Sequence, residues 1–244
     1  MSTDQNATPV APTPPRPRLA PEAPPAGPAP VAATTATGVA WGNSAPLALA
    51  GFATTTFMLS LIYITAVPAA TTPVVFGVAL MFGGLAQFVG GIIQLRMGNT
   101  FGGMLFCGFG AFWLSLFAIA QFFIKNVPPA QVGHAEGLFL YAFGIFAAIM
   151  FLASFRTSIV VVTALAGLTA ALFVIGAALY TASLGVIAGV ASSGLLKTGG
   201  WIALAIAGLA FYLALAELCD ATYGREILPV GHLAKPEGES LGEG

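Results

Sequence analysis

Between Pro46 and Ala216 the chain carries only five formally charged residues, Arg96, Lys125, Glu136, Arg156 and Lys197. Six apolar segments lie in and just past this stretch, near 47–66, 74–95, 101–123, 137–155, 159–183 and 201–219, and only the last holds a charge, Glu217. Each reaches or approaches the roughly 20 residues that a helix needs to cross hydrocarbon. All five charges fall in the expected connections, as they should where a charge in hydrocarbon is costly. The connections also carry helix-ending residues: Pro68 to Pro73, Gly98-Asn99 and Pro128-Pro129. No charge occurs between Arg156 and Lys197, so the fifth segment can end anywhere from Tyr180 to Gly189. The expected fold class is an all-α polytopic membrane protein with six transmembrane helices per protomer.

Composition excludes the main alternatives. Charged residues make up 7% of the chain and hydrophobic ones 57%, whereas soluble domains carry roughly 25% charged residues. A net charge of −1 leaves no basic face for nucleic acid. Cys107 and Cys219 lie inside apolar runs and read as small buried hydrophobes, neither a disulfide framework nor a metal site. No cofactor is implied.

Ten of the 17 prolines fall between Pro9 and Pro30. Proline at that density blocks helix and leaves little apolar surface to bury, so residues 1–40 read as a disordered tail. No basic cluster precedes a short apolar core there, so the tail does not read as a signal peptide. The expected division is a tail over 1–40, a transmembrane domain over 41–223 and a C-terminal tail over 224–244. With six spans, Arg16, Arg18, Arg96, Arg156, Arg225 and Lys235 share one side and only Lys125 and Lys197 the other. That bias orients both termini to the cytoplasm of a cell membrane. Paired glycines at Gly83-Gly84, Gly90-Gly91 and Gly102-Gly103, and the small-residue spacing of Gly185 and Gly189, point to close helix packing.

Catalytic constellations are missing from the spans, so an enzyme is not expected. His134 and His232 read as solvated. Glu217, near the end of the last span with Asp220 one turn on, is the one carboxylate expected inside a span. It serves either as a proton site or as a structural partner of a neighbouring group. The remaining polar groups are neutral, among them Asn43, Thr54, Thr55, Thr56, Ser60, Gln87, Gln94, Ser115 and Thr169. Such groups suit passage of a small solute by hydrogen bonding and aromatic constriction, although the threonine run equally suits bonding to helix carbonyls.

The first span opens with Gly42-Asn43-Ser44-Ala45-Pro46-Leu47-Ala48-Leu49. Asn43 suits an N-cap and Pro46 a first turn, which presents backbone donors that an anion could also use. This segment resembles the N-P-A-P-L-G-L signature of the acetate uptake transporter family, the YaaH-like acetate/succinate transporters, with Ser44 and Ala48 replacing Pro and Gly. Further stretches follow in order: Gly51-Phe52, Phe82 to Gln87, Arg96 to Gly102, Gly110 to Leu114, Gly200 to Ile202, Tyr212 to Glu217 and Tyr223 to Gly231. The resemblance covers about residues 42–232. It implies a homohexamer with a pore through each protomer for acetate and similar small carboxylates. It also implies substrate contact at Asn43, Pro46, Leu47 and Gln87, and a hydrophobic constriction. Phe52 matches one constriction aromatic, and Phe109 stands where the family commonly has Tyr. A third position, a Leu on the fifth helix, falls on Ala166 in an ungapped alignment, flanked by Leu165 and Leu168. Passage of succinate or ammonia, or a non-transporting organiser that recruits partners through the Pro-rich tail, are the alternatives.

Overall fold

The computed structural model describes residues 41–181 and 193–233. It contains six helices long and apolar enough to cross a membrane: α1 (Ala45–Tyr63), α2 (Ala69–Arg96), α3 (Thr100–Asn126), α4 (Pro129–Arg156), α5 (Ile159–Tyr180) and α6 (Gly194–Tyr223). Among the described residues the only β pairing is one bridge between Ser158 and His232. The expected tail over 1–40, the stretch after Tyr180 with Gly185 and Gly189, and residues beyond 233 lie outside the described part.

Successive helices run in alternate directions. One end of the bundle, here the Asn43 end, gathers the start of α1, the α2–α3 and α4–α5 connections and the end of α6. The other, the Tyr63 end, gathers the end of α1 and the starts of α2, α4 and α6. α1 packs most extensively against α6, and α4 against α5. Long apolar side chains such as Leu138, Ile145, Ile149 and Leu152 stay exposed along one face of α4. In a soluble protein that row would be a liability; against lipid it is the expected surface.

Two boundaries differ from expectation. α6 begins at Gly194, before Lys197, because Ser193 caps it by accepting from the Leu196 N–H at 3.1 Å. Gly200 does not break the helix but lets it press on α1, where an added Cβ would sit 2.7 Å from the Tyr63 Cβ. α4 likewise starts early and takes in Glu136, which is only 6% exposed. Arg96, Lys125 and Arg156 stand at or beside the last residues of α2, α3 and α4. Glu136 and Lys197 lie within α4 and α6, so the expectation that every charge lies in a connection fails most plainly for those two. Glu217 is also not the one carboxylate in a span. Charge avoids lipid, but a carboxyl facing a protein-lined cavity escapes that penalty.

Close backbone contact joins α2 to α3. A Cβ on Gly110 would lie 2.7 Å from the Phe88 N, and one on Gly91 would lie 2.5 Å from the Cys107 N. Backbone cannot swing aside as a side chain can. α2 also carries a π-helical turn over Met81–Ala86 before resuming regular helix at Gln87. After α6, Gly224 takes a left-handed conformation (φ 68°) and turns the chain back. The Gly231 and Val230 carbonyls then accept from Ile159 N (2.8 Å) and Val160 N (3.4 Å), satisfying free donors at the start of α5. So the expected C-terminal tail is folded onto the bundle as far as Leu233.

Gly110→Ala is expected to destabilise the protein by about 1–3 kcal/mol through overpacking. Gly208→Ala, where a Cβ meets nothing within 4 Å, is expected to be neutral. Thermal midpoints of the two variants in detergent check both expectations.

Candidate functional site

Both aromatic residues of the expected constriction sit beside a glycine. Gly51 precedes Phe52, and a Cβ there would strike the Phe82 carbonyl of α2; Gly110 follows Phe109 and abuts Phe88 of the same helix. α2 thus sets the positions of both α1 and α3 at this level. The Phe52 and Phe109 rings meet edge to face with centroids 5.8 Å apart. Phe109 is in turn 5.4 Å from the ring of Phe146 on α4.

Two small cavities lie on either side of these rings. The one towards the Asn43 end, about 50 Å³, is lined by Gln87, Leu49, Leu105, Val161, Leu165 and Leu213 among others. The one towards the Tyr63 end, about 40 Å³, is lined by Thr56, Ser60, Trp113 and apolar side chains of α1 and α3 to α6. Three residues line both: Phe52, Phe109 and Leu168. They form the neck between the cavities. Leu165 faces one cavity alone, and Ala166 lines neither. Beyond Leu59, Tyr63, Phe112 and Leu140 the second cavity adjoins a vestibule of about 230 Å³ at the Tyr63 end, where Glu136 and Thr72 also line the wall.

Hydrogen-bonding capacity is sparse along this line. Thr55 Oγ1 donates to the Gly51 carbonyl (2.8 Å) and Ser60 Oγ to that of Thr56 (2.7 Å), so both hydroxyls are spent on their own helix. Among the described residues, the buried polar side-chain atoms without a hydrogen-bond partner are Thr56 Oγ1, Gln87 Oε1 and Trp113 Nε1. Each lines one of the two small cavities. A buried polar atom left unpaired is unfavourable by about 1–3 kcal/mol, and a polar solute in the cavity would relieve that cost.

The Asn43 end is organised differently. Ser44, not Asn43, holds the N-cap position of α1, and Pro46 is the second helical residue. Asn43 Oδ1 accepts from the Ala45 N–H (3.0 Å) and from Gln94 Nε2 (3.0 Å), while its Nδ2 donates to Glu217 Oε2 (2.8 Å). Gln94 continues the chain: its Oε1 accepts from Asn99 Nδ2 (2.7 Å), and Asn99 Oδ1 caps α3 by accepting from Gly102 N (2.9 Å). Ser44 Oγ donates to the Gly90 carbonyl (2.8 Å). One polar ladder thus ties α1, α2, α3 and α6 together, and Glu217 is part of it.

Of the residues expected to serve a site, Phe52, Phe109 and Gln87 come together around the central line. Asn43 and Glu217 pair with each other. Pro46 and Leu47 line an open groove between α1 and α6, with Leu47 47% exposed. Sequence reasoning missed Leu168 as a certain choice, Trp113 and Glu136, and left Thr56 undistinguished within its run. A signal was present for two of them: Thr56 follows Phe52, and Trp113 follows Phe109, by four residues, so each shares its aromatic's helix face.

Comparison with known proteins places the chain. The model of the GPR1/FUN34/yaaH family matches residues 26–235. A succinate-acetate/proton symporter, SatP of Escherichia coli (strain K12), is 33% identical over 189 residues, covering 78% of this chain and 95% of the relative. Ammonia transport outward protein 2 of Saccharomyces cerevisiae is 31% identical over 206 residues, 82% of this chain and 69% of that protein. The solved structure of the bacterial acetate channel SatP superposes with a TM-score of 0.67 at 28% identity, covering 79% of this chain and 100% of that one. Its matched length, its six apolar helices and its likeness to a channel structure along that channel's full length agree: the chain is a multi-pass membrane protein and belongs to the GPR1/FUN34/yaaH family.

Proposed function

We propose that this protein passes acetate and similar small carboxylates across its membrane, along the line of cavities through Phe52, Phe109 and Leu168. The observation that carries this reading is the pair of small cavities meeting at a wholly apolar neck, with neutral, unpartnered polar atoms on both sides. Cavities of this size suit a solute of a few heavy atoms. Among the described residues no Lys, Arg or His lines either one, so an anion would have to leave water without a countercharge, at a penalty of several kcal/mol. Crossing as the neutral acid avoids most of that penalty. The names of the relatives, acetate and succinate among them, support the same substrate class.

In this reading Gln87, Thr56 and Trp113 offer hydrogen bonds before and after the neck. Asn43, Pro46 and Leu47 line a separate open groove between α1 and α6 at the Asn43 end of the bundle, and their part in substrate contact rests on the family motif. In this reading the protein is a transporter and not an enzyme, which the transporter names of its relatives support. The basic residues Arg16, Arg18, Arg96, Arg156, Arg225 and Lys235 support cytoplasmic termini. Residues 1–40 serve as an appended tail to a transport domain over 41–223, and the assembly is a homohexamer by likeness to the family. A second reading, passage of ammonia, is favoured by the same uncharged neck and by the yeast relative's name.

Uptake of labelled acetate into liposomes holding the full chain tests the main reading, with succinate and ammonium as competitors. Saturable uptake blocked by unlabelled acetate and rising towards low pH is the expected result. No uptake above empty liposomes by folded protein would sink it, and block by ammonium alone would favour the second reading. An organiser would fail without residues 1–40, whereas a transporter lacking them is expected to work.

Phe52→Ala opens one wall of the neck. The preference for acetate over succinate in that variant is expected to fall by roughly tenfold, the low end of what a change of fit in an apolar pocket is worth. Competition assays measure it, and unchanged discrimination removes Phe52 from the filter.

A further inference from the structure

Glu136 is the one formally charged side chain that is buried among the described residues, at 6% exposure. It lies in α4 near the Tyr63 end and lines the vestibule that adjoins the second small cavity. Tyr63 from α1 is the other titratable group on that wall. α2 contributes Thr72 and Phe76, α3 contributes Phe112 and aliphatic or aromatic neighbours, and α5 contributes Leu179, none of them an acid or a base. Lys125 at the end of α3 and His134 on α4 are exposed and outside the lining. The carboxyl therefore stands on the path, one cavity away from the neck.

A carboxylate entering from this end faces an apolar neck that favours the neutral acid. In bulk solution at about pH 7.5, a simple carboxylic acid is neutral to the order of one part in a thousand. Waiting for that fraction would make passage slow. A proton donor inside the vestibule removes the wait.

We propose that Glu136 is the group that hands the solute its proton. This rests on the carboxylate path proposed above. The Glu136 carboxyl O–H gives its proton to the entering carboxylate, leaving a Glu136 carboxylate and a neutral acid that continues through the neck. A hydronium ion arriving from bulk water then reprotonates the Glu136 carboxylate and leaves a water molecule, so each solute carries one proton through the neck. Exit at this end runs the same steps in reverse.

The test is uptake of labelled acetate into liposomes containing the full chain, unaltered or as Glu136→Gln or Glu136→Asp, compared at about pH 7.5 and about pH 5.0. Near pH 5 the solution itself supplies neutral acid, so the side chain matters less. In Glu136→Gln, the ratio of uptake at high to low pH is expected to drop at least about fivefold relative to the unaltered protein, a modest part of what a positioned proton-transfer group supplies. Glu136→Asp, which keeps the carboxyl, is expected to restore the ratio. An unchanged or increased ratio in Glu136→Gln overturns the proposal. So does equal loss at both pH values, which is what a structural role would produce. If the unaltered protein takes up no acetate, the carboxylate path itself fails, which is a separate outcome.

Discussion

Hydrocarbon offers no hydrogen-bond partner, and this absence organises the whole molecule. The backbone answers it with six helices, and at their ends with caps: Asn99 on α3, Ser158 on α5, Ser193 on α6. Where α5 still has free donors, the chain beyond Gly224 returns to supply carbonyls. Side chains obey the same constraint. Thr55, Ser60 and Thr169 donate to carbonyls on the preceding turn of their own helices. Against that background Thr56, Gln87 and Trp113 stand out, because their unpaired atoms face cavities and not lipid.

Polar structure is therefore sorted by position. At the Asn43 end, Glu217, Asn43, Gln94 and Asn99 bond to one another in sequence, which locks four helices at a common level. Midway the line is nearly bare of polarity, and the neck is carbon alone. On the proposed path this contrast would select by charge state: a group able to bond or ionise is tolerated at either end, while an ion at Phe52, Phe109 and Leu168 would have nothing to answer it. The neck owes its width to a different feature. Gly51 and Gly110 bring the backbones of α1 and α3 against α2, so the two aromatic rings are held by main-chain contact and not by side-chain packing alone.

Much of this is legible in the residues. Apolar segments bounded by Arg96, Lys125 and Arg156 mark the helices, to within about five positions except at the starts of α4 and α6. Phe52 and Phe109 are recognisable from the motifs around them, and Gln87 from its isolation in an apolar run. Glu136 escapes such a reading because a charge is weighed there against lipid, and only the packing of α1 to α5 reveals a cavity for it. Asn43 suggests a ligand contact from its motif, yet Glu217, 174 positions away, takes its amide. No local pattern couples those two.

What the sequence determined alone was the class, the number of spans and most of their limits, since transfer of a segment into hydrocarbon is a sum over its own residues. The tertiary structure decided which side chains face the path. A step of one residue turns a helix face by about 100°, so Leu168 lines both cavities while Ala166 lines neither. On α5 that rotation is set by where a neighbouring backbone touches it, as at Gly137 of α4, where an added Cβ would lie 2.8 Å from the Gly176 carbonyl oxygen, and contact between distant segments is not a property of any one of them.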